Sequence, residues 1–391
     1  MLDRIFLLPP YRIAIVGGGQ LGKMMTVAAK QFGFHVTVLD PTPNSPAAQV
    51  ADKQVVAPFH DAGAIYALAK EADVIIYEFE HINAAALMAL EEDGYLVFPS
   101  PQILQVIQDK LLQKQTLARG GIPVPPFRGV STRDEVEKAA AEFGYPLMLK
   151  ARRGGYDGKG NFLLPEAEAI EAGLRALHGA ELMVEKFIPF SCEVSVIVAR
   201  SRSGEVKIYP LSENEHADNI LRRSIVPARV SPAVAKRAQE IAEGVISLFS
   251  GVGIFCVEMF VTPWEEVLVN EVAPRPHNSG HYTIEACITS QFEQHIRATC
   301  GLPLGEPALR SAAVMVNLLG EDGYYGPAVL EGCAGALSLP GVHLHFYGKH
   351  HTAPKRKMGH FTVTASTLEE ALKIASRAEK YLRVISAEED K

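Results

Sequence analysis

The sequence predicts an α/β fold running into an α+β fold, in three units: an N-terminal doubly wound parallel sheet, a central antiparallel unit and a small C-terminal unit. Over about the first hundred residues, strand-like runs alternate with helix-like ones: RIAIV, a helix from Leu21, HVTVLD, a helix near Asp61 to Glu71, VIIYEFE, a helix near Ala84 to Glu92, then LVFPS. That alternation is the mark of βαβ units on a parallel sheet. From about Pro123 the strands lengthen and fewer helices separate them (YPLMLKAR, ELMVEKFI, CEVSVIVAR, GEVKIYP, GIFCVEMFV, EVLVNEVA), which suits antiparallel sheet. From about Gly301 short strands (SAAVMVNLL, VHLHFYG, GHFTVTA) and an amphipathic helix, Thr367 to Leu382, close the chain. The units divide at 1–103, 104–300 and 301–391, the first boundary falling just before a helical stretch around Leu104 to Ala118.

A chain of 391 residues is too long for one core. With 48% hydrophobic and 21% charged residues it has the composition of a globular enzyme. The formal charge of -7 and the lack of a long Lys/Arg run argue against a nucleic-acid surface, so any phosphate site must be local. Five scattered cysteines, never in a C-x-x-C pair, signal neither a disulfide framework nor a zinc site, and a reducing cytoplasm fits them. MLDRIFLLPP reads as a short extension without a cleavage site. No apolar run approaches the roughly 20 residues of a membrane helix, so no membrane partner is expected.

Four stretches carry chemistry. In RIAIVGGGQLGKMM a strand meets Gly17, Gly19 and Gly22 in the order G-x-G-x-x-G, and Asp40 ends the next strand. Taken alone, this favours a dinucleotide. In LMLKARRGGYDGKGNF a strand ending in Lys150 runs into a loop of glycines with Lys159, a phosphate cradle one residue short of a Walker A loop. In GIFCVEMFVTPWEEVLVNEVAPRPHNSG a turn centred between Trp264 and Glu265 sets Glu258 opposite Glu271. Facing carboxylates repel, a cost that a divalent cation between them removes, with Asn270 as a further hard oxygen ligand. Arg275, His277 and Asn278 follow at once. Last, Lys349, Lys355, Arg356 and Lys357 make an anion site in an acidic chain, whereas the histidines around them (His343, His345, His350, His351) read as strand or surface residues.

With these residues in view, the chain resembles the ATP-grasp superfamily and, within it, the N5-carboxyaminoimidazole ribonucleotide synthetases of purine biosynthesis. GGGQLG, NSPAAQVAD, YEFEHI, GGYDGKGN, NEVAPRPHNSGH and KRKMGH occur in that family's order and spacing from about Arg12 to about Leu382. The resemblance implies a three-domain ATP-grasp fold and a ligase that uses ATP, magnesium and bicarbonate on 5-aminoimidazole ribonucleotide. It implies that Lys110 and Lys150 contact phosphates beneath a mobile loop of Gly155, Tyr156, Asp157, Gly158, Lys159, Gly160 and Asn161. Glu185, Lys186, Phe187 and Ile188 would hold the adenine by their main chain, Glu193 the ribose, and His216 would also reach the nucleotide. Glu258, Asn270 and Glu271 would bind magnesium, Arg275, His277 and Asn278 would orient bicarbonate, Lys159 would neutralise the moving phosphoryl group and Asp157 would align the amine. Gln20, Glu78, Tyr156, Lys349 and Arg356 would bind the ribonucleotide, so that the glycine turn faces substrate and not NAD. Lys110 and His81 stand where the family more often has arginine and asparagine. A homodimer, and transfer of the labile product to the next pathway enzyme, are further implications. The rivals are a formate-dependent glycinamide ribonucleotide transformylase, an NAD-linked oxidoreductase and a nucleotide-binding protein without turnover.

Overall fold

Strands that are apolar at every position need cover on both faces, and the first unit provides it. In the computed structural model, which describes residues 6–155 and 160–387, Arg12–Val16 (β1), His35–Leu39 (β2), Lys53–Val55 (β3), Val74–Tyr77 (β4) and Val97–Phe98 (β5) form a parallel sheet ordered β3-β2-β1-β4-β5. Nearly all of β1, β2 and β4 is buried regardless of parity, as expected when helices lie on both sides. The helix Gln20–Gln31 (α1) packs on one face through Met25 and Ala29. Ala62–Ala69 (α2) and Ala84–Glu92 (α3) pack on the other through Leu68 and Leu87. Asp61 and Asn83 cap these two helices, each accepting from an amide three residues on at 3.0 Å. The strand order reverses between β1 and β4, so Gly17 and Glu78 meet at the sheet's switch point, where ligands collect in such folds.

The helical stretch expected at Leu104 to Ala118 is two helices, Pro101–Ile107 (α4) and Lys110–Arg119 (α5). Asp109 turns extended between them and caps α5, its carboxylate accepting from the amides of Leu111 and Leu112. The boundary drawn at 103/104 falls inside α4, whose Leu104 packs in the first unit's core while Ile103 and Ile107 pack in the central one.

Phe127–Val130 (β6), Leu147–Ala151 (β7), Asn161–Leu164 (β8) and Leu182–Lys186 (β9) make an antiparallel sheet ordered β6-β9-β7-β8. A longer sheet combines Cys192–Arg200 (β10), Val206–Ile208 (β11), Ser212–Ala217 (β12), Ile220–Val226 (β13), Gly253–Val261 (β14) and Val267–Ala273 (β15). It does not stop at residue 300. Ala312–Leu319 (β16) pairs with β13, from Arg223 opposite Val316 to Val226 opposite Ala313. After Gly326–Glu331 (β17), Val342–Phe346 (β18) and His351–Thr352 (β19), the strand Lys357–Ala365 (β20) continues the same sheet. Its order is β15-β14-β10-β12-β13-β16-β20-β18, with β11 beside β10. The third unit is thus an extension of the central sheet, and only β17, β19 and the last strand, Arg383–Ser386 (β21), form a sheet of their own. Among the described residues no helix is long and apolar enough to cross a membrane.

Candidate functional site

A cleft of about 1030 Å³ lies between the two central sheets and reaches the carboxyl ends of β1 and β4. Its wall holds the facing carboxylates. Near the turn, β14 and β15 pair as Val261 with Val267, Phe260 with Leu268 and Met259 with Val269, which would next set Glu258 against Asn270. A bulge intervenes and Glu258 pairs with Glu271 instead. The expected pairing is therefore correct, although the turn is centred one half-residue earlier than the sequence suggested. The bulge also explains how neighbours share a face: Val267, Val269 and Val272 all enter the core, so Asn270 and Glu271 both line the cleft with Glu258.

The two carboxylates are answered unequally. Lys110 Nζ lies 2.7 Å from Glu271 Oε2. Burial would raise the pKa of Glu271, but Lys110 outweighs it and the net shift is downward. Among the described residues Glu258 has one ion-pair partner, His277 Nε2, at 3.8 Å. Burial, then Glu271 and Glu193, push the Glu258 carboxyl up to about 8, while burial and then Arg275 hold the His277 imidazole well below its ordinary range, so it is neutral. Among the described residues no three His, Cys, Asp or Glu side chains converge to cage an ion. Two carboxylates with one amide oxygen, one carboxylate lacking a cation, form a partial shell of the kind magnesium shares with substrate phosphates.

Cations line the cleft floor. Glu185, buried at the centre of its sheet, takes Lys150 Nζ at 2.5 Å on one oxygen and Lys114 Nζ at 3.1 Å on the other. Burial opposes ionisation, but the two lysines bring the Glu185 carboxyl down to about 2. Lys114 is missing from the sequence-based set; its spacing of four from Lys110 on a helix would have flagged it. The side chain of Glu185 is thus a counter-ion, and its main chain lies in a strand paired on both sides, opposite Phe127 of β6 and Met148 of β7. The amides of Lys186 and Phe187 already donate to the carbonyls of Pro126 and Pro146. Gly155, Lys186, Phe187 and Ile188 line the cleft, as does Glu193, whose Oε2 is 3.2 Å from His216 Nδ1. Asp109, capping α5, also grips Arg152 at 2.5 and 3.1 Å and fixes the strand end that opens the glycine loop. Gly160 and Asn161 close that loop at the start of β8. Tyr156, Asp157, Gly158 and Lys159 lie outside the described residues.

Beyond the carboxylate pair, Arg275 makes two contacts with Glu80, at 2.9 and 3.1 Å. Sequence reasoning missed Glu80, although YEFE offered it. Beside it both polar atoms of the Asn278 amide are buried and find no hydrogen-bond partner among the described residues, which marks a side chain built to meet something in the cleft.

The glycine turn corrects the first expectation drawn from it. Glu78 Oε1 accepts from the Gly19 amide at 2.6 Å and Oε2 accepts from the Gly22 amide. Asp40 accepts from the amides of Gly18 at 2.9 Å and Thr42 at 2.8 Å. The donors that a pyrophosphate would need are occupied by the protein's own carboxylates. The glycines make room for them: a Cβ on Gly17 would sit 2.2 Å from Glu78 Cγ, and one on Gly19 2.6 Å from Glu78 Oε1. Gln20 begins α1 at the cleft edge.

Of the basic cluster, Lys357 lines the cleft; Lys349 and Arg356 are not among its lining residues. Lys349 Nζ donates to the Lys357 carbonyl at 2.7 Å and Arg356 to the His351 carbonyl at 2.6 Å. Lys355 bridges at 2.9 Å to Asp218, on the β12–β13 turn that also borders the cleft.

Comparison with known proteins agrees with this architecture. Residues 11–108 match the ribonucleotide synthetase preATP-grasp domain, 115–292 the ATP-grasp domain, and 313–374 the phosphoribosylaminoimidazole carboxylase C-terminal domain. The chain is 44% identical, over 92% of its length and 93% of the relative's, to N5-carboxyaminoimidazole ribonucleotide synthase of Bacillus subtilis. The crystal structure of N5-carboxyaminoimidazole ribonucleotide synthetase from Thermotoga maritima is 50% identical with a TM-score of 0.89, covering 96% of this chain and 100% of that one. The synthase from Aspergillus clavatus in complex with ADP and 5-aminoimidazole ribonucleotide is 35% identical with a TM-score of 0.87, covering 97% and 99%. The chain belongs to the N5-carboxyaminoimidazole ribonucleotide synthase family of ATP-grasp proteins.

Proposed function

We propose that this cleft carboxylates 5-aminoimidazole ribonucleotide with bicarbonate at the expense of ATP, giving N5-carboxyaminoimidazole ribonucleotide, ADP and phosphate in purine synthesis. One juxtaposition carries the reading: the Glu258–Glu271 pair and the Arg275–Asn278 loop line the same cavity as the cation row of Lys110 and Lys150. Bicarbonate is a poor electrophile. Phosphorylated to carboxyphosphate, it delivers carbon dioxide to the exocyclic amine, a sequence that asks for positioning and charge neutralisation and for no covalent nucleophile.

Each residue has a part in that scheme. Lys110 and Lys150 meet the nucleotide phosphates, and Gly155, Gly160 and Asn161 flank the loop that folds over them. Lys159 neutralises the moving phosphoryl group, Asp157 aligns the amine, Tyr156 contacts the imidazole and Gly158 joins the contacts to the nucleotide. Adenine lies against Lys186, Phe187 and Ile188, and the amide of Ile188 is its donor because the two before it already donate to prolines. Glu193, with His216, accepts the ribose hydroxyls. Glu258, Asn270 and Glu271 would hold magnesium, which when bound supplies charge neutralisation at the phosphates. Arg275, held by Glu80, and the unpartnered Asn278 orient bicarbonate, with neutral His277 beside them as a hydrogen-bonding group. Gln20, Glu78 through its remaining lone pairs, and Lys349 with Arg356 bind the ribonucleotide, the last two at its phosphate. A cytoplasmic homodimer and hand-over of the labile product to the next enzyme complete the reading.

The test is ADP release with ATP, magnesium and bicarbonate, with and without 5-aminoimidazole ribonucleotide, repeated with glycinamide ribonucleotide and formate. Bicarbonate-dependent stimulation by the aminoimidazole substrate is expected. Release only with glycinamide ribonucleotide and formate would overturn the acceptor assignment.

A further inference from the structure

A buried row of polar side chains joins the two halves of the proposed site, and nothing in the scheme above uses it. At one end Gln291 clasps the main chain of His277, accepting from its amide at 2.9 Å and donating to its carbonyl at 2.7 Å. The same amide nitrogen is 3.3 Å from His281 Nδ1. The His281 ring lies 4.6 Å from the His360 ring, and His360 Nδ1 is 2.9 Å from the Tyr347 hydroxyl. At the far end the Tyr347 carbonyl accepts from Lys23 of α1 at 2.9 Å, and the Tyr347 ring lies 5.7 Å below Lys349 Nζ. His345 braces the row, stacked on His360 at 4.5 Å with Nε2 2.7 Å from Glu285 Oε1.

We propose that Tyr347 and His360 are positioning residues, which hold the Lys349 segment for the ribonucleotide phosphate in fixed relation to the Arg275–Asn278 loop through the row Gln291–His281–His360–Tyr347. Gln291, His281, His360 and Tyr347 are at most 2% exposed, so the row cannot relax into solvent. A core built for stability alone would fill this space with apolar rings. Among the described residues His360 Nε2 and Glu285 Oε2 find no hydrogen-bond partner although both are buried, a penalty that packing does not require. The row combines polar contacts at Gln291 and between His360 and Tyr347 with ring packing between His281 and His360, and each end is anchored on a loop assigned to a different substrate. A loop held in its binding geometry before the ligand arrives loses less entropy when the ligand binds.

The inference rests on the proposed function, and the experiment separates the two. The probes are 5-aminoimidazole ribonucleotide and ADP, titrated separately by calorimetry into the wild type and into Tyr347→Phe, His360→Leu and His360→Asn, with KM and kcat for each substrate measured in parallel. Tyr347→Phe and His360→Leu are expected to weaken ribonucleotide binding and raise its KM about tenfold, leaving ADP affinity and the KM for ATP unchanged. His360→Asn, which keeps a polar atom near the Nδ1 position, should recover most of the loss. Unchanged ribonucleotide affinity in Tyr347→Phe, or parallel loss of both ligands with a lowered Tm in both His360 variants, would overturn the coupling while the function stands. A wild type that binds ADP but no ribonucleotide would overturn the functional reading and the coupling together.

Discussion

Glu258 faces Glu271 across adjacent strands because β15 bulges at Asn270; an unbulged strand would leave Glu258 opposite an amide. The bulge therefore creates a like-charge pair that destabilises the free protein. Burial and Glu271 raise the Glu258 carboxyl from 4.5 to about 8, so between those values the native state holds a proton that the unfolded chain has lost. The contribution of Glu258 to the stability of the metal-free protein should fall as pH rises through that window. Glu258→Gln should flatten the slope in thermal melts at a series of pH values, while turnover is lost. Glu271→Gln, which also strands Lys110, is expected to lower kcat at least about a hundredfold; full activity would remove the metal assignment.

Glu78 does for the glycine turn what a bound phosphate does elsewhere, and removing it should show this. Glu78→Ala leaves the amides of Gly19 and Gly22 without their acceptor, at a cost of about 1–3 kcal/mol. Sulfate should raise the Tm of this variant more than that of the wild type, because an anion can then reach the start of α1. Equal responses would mean that the turn was never an anion seat. The wild type should leave NADH fluorescence unchanged.

Much of this was legible in the sequence, and the exceptions share a cause. Alternation of strand and helix and the pairing of Glu258 with Glu271 follow from local periodicity and the position of a turn, whereas a shared site for Lys150, Arg275 and Asn278 was implied by the family resemblance alone. The G-x-G-x-x-G turn misled because its pattern reports close backbone approach without saying what approaches; Glu78, 56 residues beyond Gly22, fills the place. Glu80 and Lys114 escaped because their roles depend on partners far along the chain, Arg275 and Glu185. The continuity of the sheet past residue 300 was hidden because β12 and β13, the second of which pairs with β16, carry polar residues such as Asn214, Glu215, Arg222 and Arg223 that do not read as core strands.

Glu185 sets the cleft floor and should dominate its acid response. Its carboxyl falls from 4.5 to about 2 against the pull of burial because Lys114 and Lys150 flank it. The unfolded chain binds the proton first, so this contribution is complete above pH 4.5 and is lost as pH falls toward 2. Glu185→Gln leaves two buried ammonium groups unpaired, at a cost of about 3–5 kcal/mol. Its stability should decline less steeply than that of the wild type across that acid window, the remainder coming from other carboxylates held low, such as Glu271 and Asp109. A wild-type slope in the variant would mean that other carboxylates govern acid unfolding.

Arg275 separates charge from geometry. Its guanidinium lies 2.9 Å from one oxygen of Glu80 and donates a hydrogen bond to the other at 3.1 Å, so Glu80 anchors it before any substrate enters, with Asn278 beside it. A lysine keeps the positive charge but offers a point in place of a planar fork. If the site needed only charge near the carboxyphosphate, Arg275→Lys would keep most of its turnover. If orientation matters, as the grip of Glu80 implies, kcat should fall about tenfold to a hundredfold, with the KM for ATP unchanged because Lys110 and Lys150 are intact. Glu80→Gln then serves as the second arm. It leaves the guanidinium in place but weakens its grip, and should reproduce part of the Arg275→Lys loss in kcat. Wild-type turnover in Glu80→Gln would show that the fork is aimed by the cleft itself and not by Glu80.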